Sequence, residues 1–239
     1  MKTQEVFNKV ANKYDLMNDV MSFGAHRYWK ELLIDWLSPK KEMNIVDVAG
    51  GTGDIARRIL KRLDGNSRIT VCDPNEEMIN EGKKIKKYKD KIKWIVAPAE
   101  KLPFEDNSFD AYIVSFGVRN FSNIDKALSE AYRILKPGGR FLCLEFSKIQ
   151  NKNINQLYQY YSKTIPVFGK IIVGDEKPYE YLTRTIKEFY GQNEFKSILE
   201  KINFEKVEYR NIFNGVVAIH SAYKLSLIHI LTLPTKRIV

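Results

Sequence analysis

The chain has 239 residues, of which 44% are hydrophobic, and it carries a formal net charge of +10. This length and apolar content suit one large domain with a buried core. No apolar run approaches the ~18 residues of a membrane-spanning helix and no secretory signal opens the chain, so we expect a soluble, cytoplasmic protein. Cys72 and Cys143 each lie inside an apolar run and are predicted to be buried and reduced. The three histidines are scattered, without the paired spacing of metal ligands, so we expect no metal site.

The positive charge raises the question of an anionic partner. Much of it lies in "GKKIKKYKDKIK", residues 82–93. Met78, Gly82 and Ile85 follow helical spacing on one face, which leaves the lysines on the other. We therefore favour a solvated helix face over a binding patch, and we expect no nucleic-acid partner.

From about residue 43 onward, short apolar runs alternate with amphipathic stretches. The predicted strands are "MNIVDVA", "RITVCD", "KIKWIVA", "DAYIVSF" and "RFLCLEF", and the predicted helices between them are "GDIARRILKRL", "NEEMINEGKKIKK" and "IDKALSEAYRIL". Near-continuous apolar strands separated by helices indicate a parallel sheet covered on both faces.

Aromatic-rich helical stretches flank this alternating core. Residues 1–42 are predicted to form an N-terminal helical cap, and residues 43–225 the main domain, with an aromatic helical insert at about 148–202. Two last strands, "FEKVEYRNI" and "GVVAIHSAYKL", follow the insert and are joined by "FNG". The two aromatic pieces are expected to cap the ligand-binding edge of the sheet.

The junction "VDVAGGTGD", Val46–Asp54, places three glycines between the first strand and its helix. Glycine lets the backbone turn tightly there and lets a ligand approach closely. Asp73 ends the second strand, where a carboxylate can accept hydrogen bonds from both hydroxyls of a ribose. Gly50, Gly51 and Gly53, together with Asp73, therefore predict a nucleoside-bearing cofactor, and a tight turn without a ligand is the alternative.

The glycine loop alone does not identify the cofactor, because "GTGDIA" also fits a dinucleotide pattern. Three further features favour S-adenosylmethionine. Asp47 stands just before the glycines, where a carboxylate can meet the amino group of this cofactor. "PAEKLPFEDNSFD", Pro98–Asp110, follows the third strand, where an adenine could be enclosed. "RILKPGGRFL", Arg133–Leu142, closes the next helix before the fifth strand.

Taken in order, "VDVAGGTGD", "LPFEDNSFD" and "LKPGGR" resemble the class I S-adenosylmethionine-dependent methyltransferases. Over about residues 6–225 the chain further resembles the ubiquinone/menaquinone biosynthesis C-methyltransferases, through "KYDLMNDVMSFGAHRYWK", "SFGVRN", "LEFS" and "NGVVAIHSAYK". The resemblance implies a Rossmann-like α/β fold, with a seven-stranded, mostly parallel sheet, an antiparallel last strand and helices on both faces. It also implies S-adenosylmethionine as methyl donor and a ring carbon of a polyprenyl quinol as acceptor.

The same resemblance assigns residues to the cofactor. These are Thr52 in the glycine loop, Asp73, Pro98 and Ala99 after the third strand, and Ser115 after the fourth. The family commonly has Asn or Asp where this chain has Pro98, so a side-chain contact to the adenine is lost at that position. The backbone N–H of Ala99 could still serve.

The candidates for shaping the acceptor site are Arg119 and Asn120, in "SFGVRN". Arg119 could stabilise a developing phenolate, and Asn120 could form a hydrogen bond with a ring oxygen. For Arg119 the alternative is a surface salt bridge. His26 and Glu145 are candidate bases, and for each the alternative is a structural hydrogen bond.

Tyr14 and Asp15 are expected to close over the cofactor, as the N-terminal region of the family is thought to do.

Several aromatic residues of the insert are expected to contact the lipid-like substrate. A prenyl tail would lie on the insert, whose side chains have apolar faces and polar tips, or these residues simply pack helix against helix. They are Tyr158, Tyr160, Tyr161, Phe168 and Tyr181. A substrate dissolved in a bilayer also predicts transient, peripheral contact with the membrane surface.

Both ends of the chain depart from the family pattern. The family usually begins further upstream of "VFNKVANKYD", so we expect Met1 to mark a truncated start. Residues 226–239, "SLIHILTLPTKRIV", match nothing in the family and are expected to be a non-native tail.

Three other functions stay open from the sequence. These are methylation of another small molecule or of RNA, nicotinamide-dependent oxidoreduction, and a non-catalytic scaffold in a biosynthetic complex. A homodimer or a biosynthetic complex is compatible with the sequence.

Overall fold

A computed structural model of the chain describes residues 19, 22, 24–151, 153–156 and 177–226. In chain order the elements are α1 (Ala25–Leu37), β1 (Ile45–Val48), α2 (Asp54–Arg62), β2 (Ile69–Asp73), α3 (Glu76–Lys84), β3 (Ile92–Val96), β4 (Phe109–Ser115), α4 (Ile124–Ile134), β5 (Leu135–Phe146), α5 (Lys177–Glu188), α6 (Gln192–Lys201), β6 (Glu205–Ile212) and β7 (Val217–Tyr223). Short 3₁₀ turns lie at Lys89–Lys91, Val118–Asn120 and Phe213–Gly215.

The seven strands form one sheet in the order β3-β2-β1-β4-β5-β7-β6. Strand β1 pairs in parallel with both β2 and β4, whereas β7 runs antiparallel to both β5 and β6. The strand order reverses between β1 and β4, and ligands bind outside the carboxyl ends of the strands at such a switch point. The predicted Rossmann-like sheet, with an antiparallel last strand, is confirmed.

The sheet buries an apolar layer on each face, because successive side chains of a strand point to opposite sides. In β1, Ile45 contributes to one layer, and Val46 and Val48 contribute to the other. Helices α1, α2 and α5 pack into the first layer, and α4 and α6 pack into the second. Cys72 and Cys143 are buried free thiols, as the sequence predicted.

Helix α1 packs its apolar stripe directly against the sheet. Trp29, Leu33, Ile34 and Leu37 repeat at helical spacing, and each is at most 4% exposed. The helix thereby lies beside α2, close to the loop between β1 and α2.

Two element boundaries differ from the predictions. Helix α3 ends at Lys84, because Ile85 takes extended backbone, and Ile85 is 40% exposed instead of buried with Met78. Strand β5 begins at Leu135, upstream of the predicted "RFLCLEF". Leu135 pairs with Phe109 of β4. Further along, the Lys224 carbonyl, just past β7, accepts from Gly138 N–H, and Lys224 N–H donates to the Gly139 carbonyl, so backbone partners extend the strand upstream.

Some predictions lie outside the described residues. They concern Tyr14, Asp15, Tyr158, Tyr160, Tyr161 and Phe168, together with residues 227–239 of the tail. Among the helices that the structure does describe, none is both long enough and apolar enough to cross a membrane.

Candidate cofactor and acceptor site

The loop after β1 turns so tightly that it depends on its glycines. Gly51 and Gly53 have φ values of +54° and +77°, a left-handed conformation that glycine adopts without strain. At Gly50 an added Cβ would lie 2.8 Å from the Asp47 carboxyl carbon, so the close approach of this side chain also requires glycine. The loop therefore presents bare backbone at the carboxyl end of β1.

Asp73, the last residue of β2, fixes this loop from the neighbouring strand. Its Oδ2 accepts a hydrogen bond from Gly51 N–H at 2.8 Å, and its Oδ1 accepts one from Asn75 N–H at 2.8 Å. Burial raises the pKa of the carboxyl group, and these two N–H donors act in the opposite direction. Each carboxylate oxygen keeps a further lone pair, so Asp73 can still accept from two ligand hydroxyls.

Asp47 is a buried acid whose carboxylate has only a weak backbone contact, with Ala56. The residue is fully buried, and neither oxygen accepts a hydrogen bond of regular geometry from the described residues. Burial raises the pKa of Asp47 to about 7, although nearby Lys30 acts to lower it. An unpaired buried carboxylate is costly, so this position favours a ligand that brings a positive charge and N–H donors.

The same cleft joins residues of β1, the glycine loop and β4. Asp47, Gly50, Gly51, Thr52 and Ser115 all line it. The Ser115 hydroxyl is buried, and it too has no hydrogen-bond partner among the described residues. The structure therefore brings together most of the residues that the sequence assigned to the cofactor.

Pro98 and Ala99 lie in the loop after β3. Pro98 is exposed and Ala99 is 4% exposed. The Ala99 N–H donates to no acceptor in the described ranges, so it is available to a ligand. Glu100 anchors this loop, because its Oε1 accepts from the N–H groups of Ser122 and Asn123 at 2.7 and 3.1 Å.

Arg119 and Glu145 form a buried ion pair, not a surface one. Their side chains are 5% and 2% exposed, and Arg119 Nη1 lies 2.6 Å from Glu145 Oε1. Nη1 also donates to the Phe116 carbonyl at 2.8 Å, whereas the buried Nε has no partner among the described residues. Burial raises the pKa of Glu145, and the guanidinium of Arg119 opposes this shift. Asn120 accepts a hydrogen bond from the Tyr181 hydroxyl at 2.9 Å.

Aromatic rings surround this ion pair at the edge of the sheet. The rings of Phe116 and Phe146 lie 5.0 Å apart, and Trp29 of α1 lies 6.1 Å from each of them. The Arg119 guanidinium lies 5.5 Å from the centre of the Phe146 ring. Phe116 also lines the cleft that contains Asp47, so the aromatic cluster and the cleft are continuous.

His26 has a structural contact. Its Nδ1 lies 2.9 Å from the Ser22 hydroxyl, and burial lowers the pKa of His26 to about 4. Among the described residues, no cluster of three or more His, Cys, Asp or Glu side chains could hold a metal ion.

Lys30 also lines the cleft, although it was not among the residues predicted for the site. A signal for it was present, because Lys30 shares the helical spacing of Leu33 and Ile34 and therefore lies within the apolar stripe of α1. A lysine in such a stripe is rarely buried unless it is paired. Its partner is Asp54, the first residue of α2, and no local pattern links these two positions.

Known proteins resemble this chain over most of its length. The sequence pattern of the ubiE/COQ5 methyltransferase family matches residues 1–224. A Bos taurus protein named 2-methoxy-6-polyprenyl-1,4-benzoquinol methylase, mitochondrial, is 45% identical over 95% of this chain and 80% of its own length. A Brucella anthropi protein named ubiquinone/menaquinone biosynthesis C-methyltransferase UbiE is 51% identical over 92% of this chain and 86% of its own length.

Solved structures of methyltransferases share the fold. An S-adenosylmethionine-dependent methyltransferase from Thermotoga maritima aligns with a TM-score of 0.65 at 19% identity, covering 92% of this chain and 98% of its own. Human N-acetylserotonin methyltransferase, solved in complex with S-adenosylmethionine, aligns with a TM-score of 0.62 at 16% identity, covering 95% of this chain and 61% of its own. The fold is therefore that of methyltransferases, in agreement with the sequence relatives at 45% and 51% identity. The chain belongs to the ubiE/COQ5 methyltransferase family.

Proposed function

We propose that this chain transfers a methyl group from S-adenosylmethionine to a ring carbon of a polyprenyl quinol in ubiquinone or menaquinone biosynthesis. The family and the names of its relatives support this reaction. The observation that carries it is the buried Arg119–Glu145 pair beside an aromatic cluster that continues from the Asp47 cleft. Such a site suits a flat apolar ring that bears oxygen atoms.

The described residues fit the methyl donor at several points. Asp73 would accept hydrogen bonds from the ribose hydroxyls, and the free N–H of Ala99 would bind the adenine. Asp47 would meet the α-ammonium group, and Thr52 and Ser115 would complete the lining of the cleft. When bound, S-adenosylmethionine supplies a methyl group that its positive sulfur already activates.

Arg119 and Asn120 would prepare the acceptor ring. Loss of a hydroxyl proton makes the adjacent ring carbon nucleophilic, and the Nε–H of Arg119 is free to stabilise the resulting phenolate. The ring carbon forms a bond to the methyl group as the carbon–sulfur bond breaks, and the electron pair stays on sulfur. The ring then loses its C–H proton to water, which restores aromaticity.

The aromatic cluster would orient the ring and exclude water. Trp29, Phe116 and Phe146 form a wall that holds a planar ring against the donor. Phe213 is 57% exposed, and its ring lies 6.1 Å from that of Trp29. Because it places an exposed aromatic face beside this wall, Phe213 would support transient contact with a membrane surface.

Complementation tests the acceptor. A bacterial strain that lacks quinone C-methylation would express either this chain or its Asp73→Ala variant, and extracted quinones would be analysed by mass spectrometry. We expect the native chain to restore a methylated benzoquinone, a methylated naphthoquinone or both, and the variant to restore much less. If the native chain is expressed and folded but restores neither, the acceptor assignment is wrong.

A further inference from the structure

Lys30 is a buried cation with unused hydrogen-bonding capacity. Its side chain is 8% exposed, and its Nζ donates to Asp54 Oδ2 at 2.9 Å. An ammonium group carries three N–H donors, and the described residues supply no second acceptor for Lys30. At least two of these donors are therefore free to bind a ligand in the cleft that Lys30 lines.

Asp54 does not depend on Lys30 alone. Its Oδ1 also accepts from Arg58 Nε at 3.0 Å, and its position at the start of α2 favours a negative charge. Burial would raise the pKa of Asp54, but Lys30 and Arg58 outweigh it and bring this pKa to about 2. With Asp54 ionised and paired twice, Lys30 can share its charge with a ligand.

The cleft thus contains a cation and an unpaired acid side by side. Lys30 comes from α1 and Asp47 from β1, and both line the same small space beside Gly50 and Gly51. An α-amino acid carries its ammonium and carboxylate groups on one carbon, so a site that binds both needs an acid next to a cation. The methyl donor of the proposed function ends in such a group.

We propose that Lys30 binds the α-carboxylate of the methyl donor while Asp47 binds its α-ammonium group. This inference rests on the proposed function and adds a positioning residue from α1. By holding the amino acid end of the donor, Lys30 would set how far the methyl group reaches toward Phe116. The alternative is that Lys30 only fastens α1 to α2.

Calorimetry with two donors separates these roles. S-adenosylmethionine has the α-carboxylate, whereas decarboxylated S-adenosylmethionine keeps the ammonium group and lacks the carboxylate. Lys30→Met retains the length of the side chain and removes its charge. We expect this variant to bind S-adenosylmethionine about 10- to 100-fold more weakly, with unchanged affinity for the decarboxylated donor.

Arg58→Met is the matched control. Like Lys30, Arg58 pairs with Asp54, and it also links α2 to α1, because its Nη1 lies 2.6 Å from Glu31 Oε1. Unlike Lys30, Arg58 does not line the cleft. Arg58→Met should change the affinities for both donors by the same factor. Equal losses for both donors in Lys30→Met, or no loss, would overturn the inference.

The native chain gives an independent test that requires no variant to fold. It should prefer S-adenosylmethionine over the decarboxylated donor about 10- to 100-fold, and equal affinity would also overturn the role of Lys30. Lys30→Gln provides a second variant with a neutral polar side chain. Binding of neither donor by the native chain would instead refute the proposed function.

Discussion

The Asp73 carboxylate connects the glycine loop to the proposed ribose site. Asp73→Asn keeps the size of the side chain but replaces one acceptor oxygen with a donor, which cannot accept from Gly51, Asn75 or a ribose hydroxyl. We expect the affinity for S-adenosylhomocysteine, measured by calorimetry, to fall about tenfold or more. The exposed Asp90→Asn is the control. Native affinity in the Asp73 variant would refute the ribose assignment.

Asp47 should lower the stability of the free protein in a pH-dependent way. Its pKa is raised from 3.8 to about 7 by burial, so between these pH values the folded state holds a proton that the unfolded chain releases. The free energy of unfolding therefore falls as pH rises through this window and levels off above it. We expect Asp47→Asn to raise the free energy of unfolding by about 2–4 kcal/mol at pH ~8 but much less at pH ~4.

Denaturant unfolding at both pH values measures this effect, and calorimetry should show that Asp47→Asn binds the donor more weakly. The variant would then be more stable and less functional, as is common for buried polar groups in binding sites. A loss of stability at pH ~8, or a gain of equal size at both pH values, would contradict the account of Asp47.

Arg119 should affect turnover more than cofactor binding. Arg119→Lys keeps the charge but loses the planar fork and the free Nε–H, so we expect a lower kcat and unchanged affinity for S-adenosylhomocysteine. Arg119→Ala should also destabilise the fold, by about 3–5 kcal/mol, because it leaves Glu145 buried without its partner. Adding Glu145→Gln to Arg119→Ala should recover stability but not turnover. An unchanged kcat in Arg119→Lys would exclude Arg119 from the acceptor site.

At the scale of elements, α3 packs unusually close to the glycine loop. A Cβ on Gly82 of α3 would lie 2.5 Å from Trp94 Cη2 and 2.6 Å from the Thr52 carbonyl oxygen. Ala is normally the better helix former, so any cost of Gly82→Ala comes from this steric contact. We expect the variant to lose about 1–3 kcal/mol of unfolding free energy and to bind the donor more weakly.

Gly191→Ala is the comparison for Gly82→Ala. An added Cβ at Gly191 meets its nearest neighbours only at 3.4 Å, so Gly191→Ala creates no clash and should lose only the N-cap preference of glycine over alanine, about 0.5–1 kcal/mol, with unchanged binding of the donor. Chemical denaturation of the two variants under one condition decides the point. If Gly82→Ala were as stable as the native chain, α3 would not constrain the loop.

Local patterns predicted the helices and strands, because a buried face repeats apolar residues at a spacing typical of each. Alternation of apolar strands with amphipathic helices placed β1 to β5, and the acids at strand ends placed Asp47 and Asp73 at one edge of the sheet. Local patterns do not predict contacts between residues that are far apart in the sequence. The end of α3 and the start of β5 depend on tertiary context, and the pairing of Lys30 with Asp54 depends on how α1 lies against α2.

At the scale of the whole molecule, the sheet order brings the site together. The carboxyl ends of β1, β2 and β4 carry Asp47, Asp73 and Ser115, and Lys30 of α1 lines the same cleft as Asp47 and Ser115. The resemblance to the family supplied this topology, since strand periodicity alone gives no order. The buried Arg119–Glu145 pair was not foreseen, because the sequence offered only a surface salt bridge as the alternative role of Arg119.

Transfer of a labelled methyl group in a purified system tests whether this chain methylates a quinol ring. The chain would be incubated with S-adenosylmethionine labelled in its methyl group and with a reduced, short-chain prenylated quinol, and the products would be analysed by mass spectrometry. We expect one labelled methyl group on a ring carbon of the quinol, with formation of S-adenosylhomocysteine and little product from Asp73→Asn. A chain that binds the donor yet leaves the quinol unlabelled, or that responds instead to a nicotinamide dinucleotide, would contradict it.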